Sequence, residues 1–316
     1  MTKQQDADVT GSEPIERATG SAAKQIVKSL LLLPLHCLDA LGRGYSALIA
    51  AIHPTFSTYW LDAQNDRIQA RRKQISHVVK GVAQHFSFYT PNWICQFRAA
   101  TFSTKEPETL EWMDTYGGKG ALFDIGANVG LYSVYYAKTQ PGNVYAFEPS
   151  VFNLRVLAKN LNANDVESKV KIIPNPLTTT NCFADFNLTT TMEGGALSSF
   201  GVDYGQDGTP MNKVFAYQTC GFSLDFLMEA GVVAEYPSLI KVDVDGIEHL
   251  ILRGAVKTLA HPQCKTVLIE VNDAFAELST EVQSILTGAG FRLETRAQAE
   301  MFHASAALNN QIWIKS

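Results

Sequence analysis

The hydrophobic rhythm of the chain changes twice. Residues 1–20 are polar, show no period and read as a disordered tail. Residues 24–52, KQIVKSLLLLPLHCLDALGRGYSALIAAI, are strongly apolar but broken into two pieces by Pro34 and by Gly42-Arg43-Gly44. Residues 59–82 read as a further helix, with Arg71-Arg72-Lys73 on its solvated face. From residue 97 short apolar runs alternate with helical periods. Strands are expected at 121–125 (ALFDI), 143–148 (NVYAFE), 170–173, 239–243 (LIKVD), 266–271 (TVLIEV), 291–296 and 311–315. Helices are expected at 129–138, 152–162, 249–259 and 281–289. Such alternation predicts an α/β fold, a mostly parallel sheet with helices on both faces. Residues 185–218, rich in Thr, Ser and Gly, interrupt the rhythm. They read as an insertion near the substrate site, with a hairpin formed by 186–188 and 214–217. The expected organisation is a tail (1–20), a helical N-terminal extension (21–96) and an α/β domain (97–316).

Composition narrows the class. With 316 residues, 46% apolar and 18% charged, the chain can bury a large core and is not disordered as a whole. No apolar run reaches the roughly 18 residues that a membrane-crossing helix needs. The net charge of −5 is unevenly spread: −2 over residues 1–23, +5 over 24–80 and −8 over 81–316. An acidic body argues against a nucleic-acid partner, which would require clustered Lys and Arg. Five cysteines with no C-x-x-C pair argue against a disulfide framework or closed zinc site and fit a cytoplasmic setting. The basic, apolar segment 24–52 has two readings. It is a helical cap, packed on the domain or on a second copy as a homo-oligomer, or a peripheral contact with an anionic membrane.

The first chemistry lies at the end of the first strand of the α/β region. Asp124-Ile-Gly126-Ala-Asn128-Val-Gly130 follows that strand and opens a helix, the position where open α/β sheets bind ligands. A dinucleotide cradle would want G-x-G-x-x-G, but Asn128 replaces the second glycine and the third is absent. Asp124 repels phosphate and suits a cation. Glu148 ends the next strand, 24 residues on, where an acid accepts hydrogen bonds from ribose hydroxyls. A ribose, a positive charge and no place for phosphate together describe S-adenosylmethionine. A nicotinamide-dependent dehydrogenase is the alternative that Asp124 and Asn128 disfavour. A non-catalytic partner-binding module is a second alternative.

Five segments then resemble the FkbM-type S-adenosylmethionine-dependent methyltransferases. They are TKEPETLEWM (104–113), FDIGANVGLYS (123–133), VYAFEPSVFNL (144–154), IKVDVDGIEHLILRGA (240–255) and VLIEVN (267–272), in the family's order and spacing. The resemblance implies a Rossmann-like class I methyltransferase fold, with a seven-stranded sheet whose last strand runs antiparallel. It implies O-methylation of a sugar, glycoconjugate or natural product. It also implies that Asp124, Gly126, Asn128 and Gly130 hold the methionyl part of the cofactor, with Asp243 also bordering it. Glu148 would bind the ribose, Pro149 would shape the turn, and Asn175 and Leu177 would lie near the adenine. Glu106 and Thr109 fall in a segment that can close over the cofactor, or that caps the helix starting at Pro107.

A second acidic cluster ends the fourth strand. Asp243, Asp245, Glu248 and His249 lie within seven residues, and Glu270 and Asn272 end the neighbouring strand. One reading makes Asp243, Asp245, Glu248 or His249 a general base or an orienter of the acceptor hydroxyl. The other has Asp243, Glu270 and Asn272 bind a divalent cation that acidifies that hydroxyl. The first is adopted, and a cation is not expected.

Overall fold

The computed structural model describes residues 22–53, 58–297 and 307–315. The tail expected over residues 1–20 lies outside the described residues. The chain divides into two compact units, Met1–Gln69 and Ala70–Ser316.

The first unit holds α1 (Ala22–Ile52) and α2 (Tyr59–Ala70). The two apolar pieces expected over 24–52 are one helix: α1 runs unbroken through Pro34 and Gly42. Gly42 has a packing reason, since a Cβ there would fall 2.1 Å from the Trp60 ring of α2.

The second unit opens with a correction. The helix expected over residues 59–82 ends at Ala70, and β1 (Arg72–Val79) and β2 (Val82–Tyr89) form an antiparallel hairpin. The sequence itself carries the reason. RKQISHVV alternates inward and outward with period two, and Lys80 (φ 48°) and Gly81 (φ 81°) supply the paired left-handed turn that hairpins prefer. So the compact α/β unit starts at Ala70, and the extension is not helical throughout.

After α3 (Trp93–Ala100) and α4 (Pro107–Tyr116) the alternation follows as expected. The elements are β3 (Ala121–Ile125), α5 (Leu131–Thr139), β4 (Val144–Phe147), α6 (Val151–Asn162) and β5 (Val170–Ile173). Then come β6 (Cys182–Leu188), β7 (Ser199–Phe200), β8 (Phe215–Gly221), α7 (Leu224–Glu229) and β9 (Pro237–Val242). The chain closes with α8 (Glu248–Arg253), α9 (Val256–Ala260), β10 (Thr266–Asn272), α10 (Ala276–Gly288), β11 (Phe291–Ala297) and β12 (Leu308–Lys315). The single helix expected over 249–259 is two short ones, α8 and α9, parted at Gly254. A Cβ there would meet the Thr178 carbonyl at 2.2 Å.

The main sheet has seven strands in the order β11-β12-β10-β9-β3-β4-β5. The pairs among β10, β9, β3, β4 and β5 are parallel, and β12 runs antiparallel between β10 and β11. Successive side chains point to opposite faces, so each strand feeds two cores. Phe123, Ile125, Ile240, Val242, Val267 and Ile269 fill one. Leu122, Leu239 and Leu268 join Trp112 and Tyr135 in the other. The insertion is a small antiparallel sheet, β7-β6-β8, in which the expected hairpin strands pair Phe186 with Tyr217 and Leu188 with Phe215.

Candidate active site

The site is built where β3, β4 and β9 end. Gly126 (φ 83°) and Asn128 (φ 51°) give the loop after β3 its left-handed turns. A Cβ on Gly126 would stand 1.9 Å from the Asp243 carbonyl oxygen, so only glycine lets this loop lie against the end of β9. The Asn128 N–H donates to Glu148 Oε2 at 2.7 Å, and the Ser150 N–H donates to Glu148 Oε1 at 2.8 Å. Burial pushes the Glu148 carboxyl up to about 7, against the pull of these two backbone donors.

Two clefts flank this loop. The first, about 550 Å³, is lined by Glu148, Pro149, Asn175 and Leu177, with Phe186 and Ile251 as apolar walls. The insertion closes it through Gly195, Ala196, Ser198, Ser199 and Phe200, and Asp243 and Asp245 border it. The second, about 470 Å³, is lined by Arg98, Lys105, Glu106, Tyr132 and Lys241. Gly126, Asn128 and Asp243 line both, so the clefts meet at a common wall.

The second cleft rests on a buried ion network. Strand register sets Asp124 beside Lys241, and Lys241 beside Leu268. The alternation that sends Leu122, Leu239 and Leu268 into one core therefore also turns Asp124, Lys241 and Glu270 to that face. Lys241 is 2% exposed, and its Nζ donates to Asp243 Oδ2 at 2.7 Å. Burial favours its neutral form, but Asp243, Asp124 and Glu106 outweigh that and raise its pKa. Burial likewise opposes the charge on Asp243, yet Lys241, Lys105 and Arg98 bring its carboxyl below the ordinary value. Tyr132 donates to Glu106 Oε2 at 2.7 Å, and Lys105 pairs with Glu106 Oε1 at 2.5 Å.

The site residues expected from sequence separate into three groups. Gly126, Asn128, Glu148, Pro149, Asn175, Leu177, Asp243 and Asp245 line the clefts. Asp124 and Gly130 support them from beneath. Asp124 is fully buried and accepts from Ser133 Oγ at 2.5 Å. Gly130 lets α5 approach Leu157 of α6. Glu248, His249, Glu270 and Asn272 line neither cleft. The Glu248 carboxylate accepts from the Val244 and Gly246 N–H groups at 3.2 and 3.0 Å and holds the loop after β9. His249 is buried edge-on against Phe275. Asn272 donates to the Gln206 carbonyl. Among the described residues no group of three or more His, Cys, Asp or Glu stands ready to hold a metal ion. Burial together with the charges of Asp243 and Asp245 raises the Glu270 carboxyl well above the ordinary value. No motif in the sequence marks Arg98, Lys105, Tyr132 or Lys241 as site residues. The period-two placement of Lys241 was the one available signal.

The strand-end loop also brings Asp243 and Asp245 together. Residues two apart on a strand share a face, but β9 ends at Val242, so both lie in the loop beyond it, where Asp245 adopts φ 64°. Its carboxylate then accepts the Leu197 N–H of the insertion at 2.7 Å.

These residues fit S-adenosylmethionine. A ribose acceptor with apolar walls and the Asn175 amide suits an adenosine. Across the common wall, Arg98 and Lys105 face Glu106 and Asp243, a set of both signs that suits a zwitterionic amino acid. Sheet order and site together define a class: Rossmann-like, S-adenosylmethionine-dependent methyltransferases. The sequence pattern of the methyltransferase FkbM domain matches residues 124–293, which is 170 of the 316 residues. The chain belongs to this FkbM methyltransferase family. No curated protein matches the chain closely enough to stand as a relative. Among solved structures, fibrillarin from Aeropyrum pernix with natively bound S-adenosyl-L-methionine is similar at 9% identity and a TM-score of 0.44. That match covers 78% of this chain and 83% of that one. Precorrin-6y C5,15-methyltransferase from Geobacter metallireducens aligns at 13% identity and a TM-score of 0.40, over 67% and 87% of the two chains. An rRNA methylase from Streptococcus thermophilus aligns at 12% identity and 0.40, over 66% and 92%.

Proposed function

We propose that this methyltransferase acts on oxygen, methylating a hydroxyl of a sugar, glycoconjugate or related natural product, with Asp245 as the general base. One observation carries the reading: Asp245 lies in the lining of the first cleft, beside the wall the two clefts share. An alcohol is a poor nucleophile until its proton has an acceptor, and a carboxylate with a pKa near the working pH is suited to that task. Burial, reinforced by the neighbouring Asp243 charge, pushes Asp245 up to about 6. Asp243 is the weaker candidate, because Lys241 holds it as a stable anion. Its role in this reading is to orient the cofactor's cationic part and the acceptor. Glu248 and His249 act by holding the loop and packing α8.

When bound, S-adenosylmethionine supplies an electrophilic methyl group on a sulfonium. The chain's contribution is alignment and proton removal. Gly126 and Asn128 fix the loop, Asp245 takes the hydroxyl proton, and the 185–218 insertion shapes the acceptor space and excludes water.

Asp245→Asn should lower kcat about a hundredfold or more while changing S-adenosylhomocysteine affinity less than about threefold. Mass spectrometry of glycans and metabolites from cells lacking the protein supplies the acceptor for this assay. Unchanged turnover in Asp245→Asn would remove the base from Asp245. An acceptor methylated only on nitrogen would end the O-methylation reading.

A further inference from the structure

We propose that α1 lies in the surface of an anionic lipid membrane and docks the enzyme there through one apolar stripe. The helix has 31 residues, so it extends about 46 Å. Leu31, Leu38, Leu41, Tyr45, Leu48 and Ile52 recur at steps of three, four and seven residues. At about 100° per residue they fall within an arc of about 100°. They are 58% to 78% exposed. His36, Asp39 and Arg43 lie on the opposite arc, where Arg43 and Asp39 pair at 2.6 Å.

The partner helix within the unit does not cover this stripe. Trp60 of α2 packs at Gly42, a small residue on the flank. A surface this apolar on a helix that length needs an apolar partner. Among the described residues no helix is long and apolar enough to cross a bilayer, so a lipid partner would be met side-on.

Charge selects that partner. In sequence α1 carries Lys24, Lys28 and Arg43 against Asp39 alone, and Arg71-Arg72-Lys73 follows α2. Residues 81–316 carry a net −8, so the net positive charge lies within residues 24–80, the segment that includes the stripe. A basic, amphipathic helix ahead of an acidic catalytic body is complementary to an anionic bilayer. A second copy fits less well. Pairing along the stripe would put Pro34 in the seam.

The test is co-sedimentation of the full chain with vesicles of phosphatidylcholine, with and without phosphatidylglycerol. The chain should pellet with the anionic vesicles and much less with the neutral ones. The triple variant Leu38→Glu/Leu41→Glu/Leu48→Glu should lower the partition coefficient by more than about a hundredfold. Its affinity for S-adenosylhomocysteine should stay at the wild-type value, which shows that the catalytic unit is folded. Lys24→Glu and Lys28→Glu should each cost about fivefold at low salt. A chain that stays in the supernatant with both vesicle types would overturn the proposal, as would a triple variant that pellets like wild type. A lipid-free dimer dispersed by the same triple variant, with no pelleting, would assign the stripe to a second copy and likewise overturn it.

Discussion

The two clefts that meet at Gly126, Asn128 and Asp243 are assembled in different ways. The first takes most of its polar groups from loops directly after β3, β4, β5 and β9, with Asn153 from α6 and Ser198 and Ser199 from the insertion. The second draws Arg98 from α3, Lys105 and Glu106 from the turn before α4, Tyr132 from α5 and Lys241 from inside β9. One side is held by backbone N–H groups on Glu148, the other by the buried Lys241–Asp243 pair with Asp124 beside it on the neighbouring strand. The first cleft therefore depends on local loop geometry, and the second on a buried ion network. Breaking the two should give different kinds of failure.

The largest effect is expected in the network. Lys241→Met leaves the Asp243 and Asp124 carboxylates facing a buried apolar group, and should cost about 3–5 kcal/mol of stability. Chemical denaturation of the cofactor-free protein reads this directly. A loss below about 1 kcal/mol would mean that water already screens the network.

Gly126→Ala attacks the common wall. The added Cβ meets backbone, not a movable side chain, and the residue must keep φ 83°. Strain and displacement together should cost about 2–3 kcal/mol, read as a fall of roughly a hundredfold in S-adenosylhomocysteine affinity. Equal affinity would show that the loop relaxes elsewhere.

The pH response sharpens the contrast at smaller scale. Burial raises Glu148 and Glu248 to about 7 and Asp245 to about 6. The folded chain thus holds protons that the unfolded chain releases. Stability should fall as pH rises from about 4.5 to 7 and level off above that. Asp243 is shifted the other way, and its contribution is present above its ordinary value and lost only in stronger acid. The thermal midpoint of the cofactor-free protein should rise by a few degrees on going from pH 8 to about pH 5.5. A midpoint that falls over that interval would show these carboxyls to be ionised in the folded state.

The same contrast explains what the sequence disclosed. Asp124, Gly126, Asn128 and Glu148 sit in short segments where a strand, a turn and a helix are adjacent in the chain, so the fold and the first cleft could be read from local pattern. Arg98 and Tyr132 meet Lys241 only through packing of separate elements, which no local spacing reveals. A histidine at a strand-end helix reads as a base, and the structure buries His249 edge-on against Phe275, outside the lining of both clefts. The helix expected through residue 82 failed because apolar positions in 72–79 fit a helical period loosely but a strand period well. Gly42 and Pro34 suggested a break in α1 that packing at Trp60 and the length of the helix override.

The geometry suits one cofactor molecule that spans both clefts. Calorimetric titration of S-adenosylhomocysteine into the wild-type chain, Glu148→Gln and Arg98→Ala tests it most directly. Wild type should bind one molecule per chain. Glu148→Gln, on the ribose side, and Arg98→Ala, on the amino-acid side, should each weaken that same event by about tenfold or more. Absence of binding to wild type, or a variant on either side that binds as wild type does, would contradict the shared site.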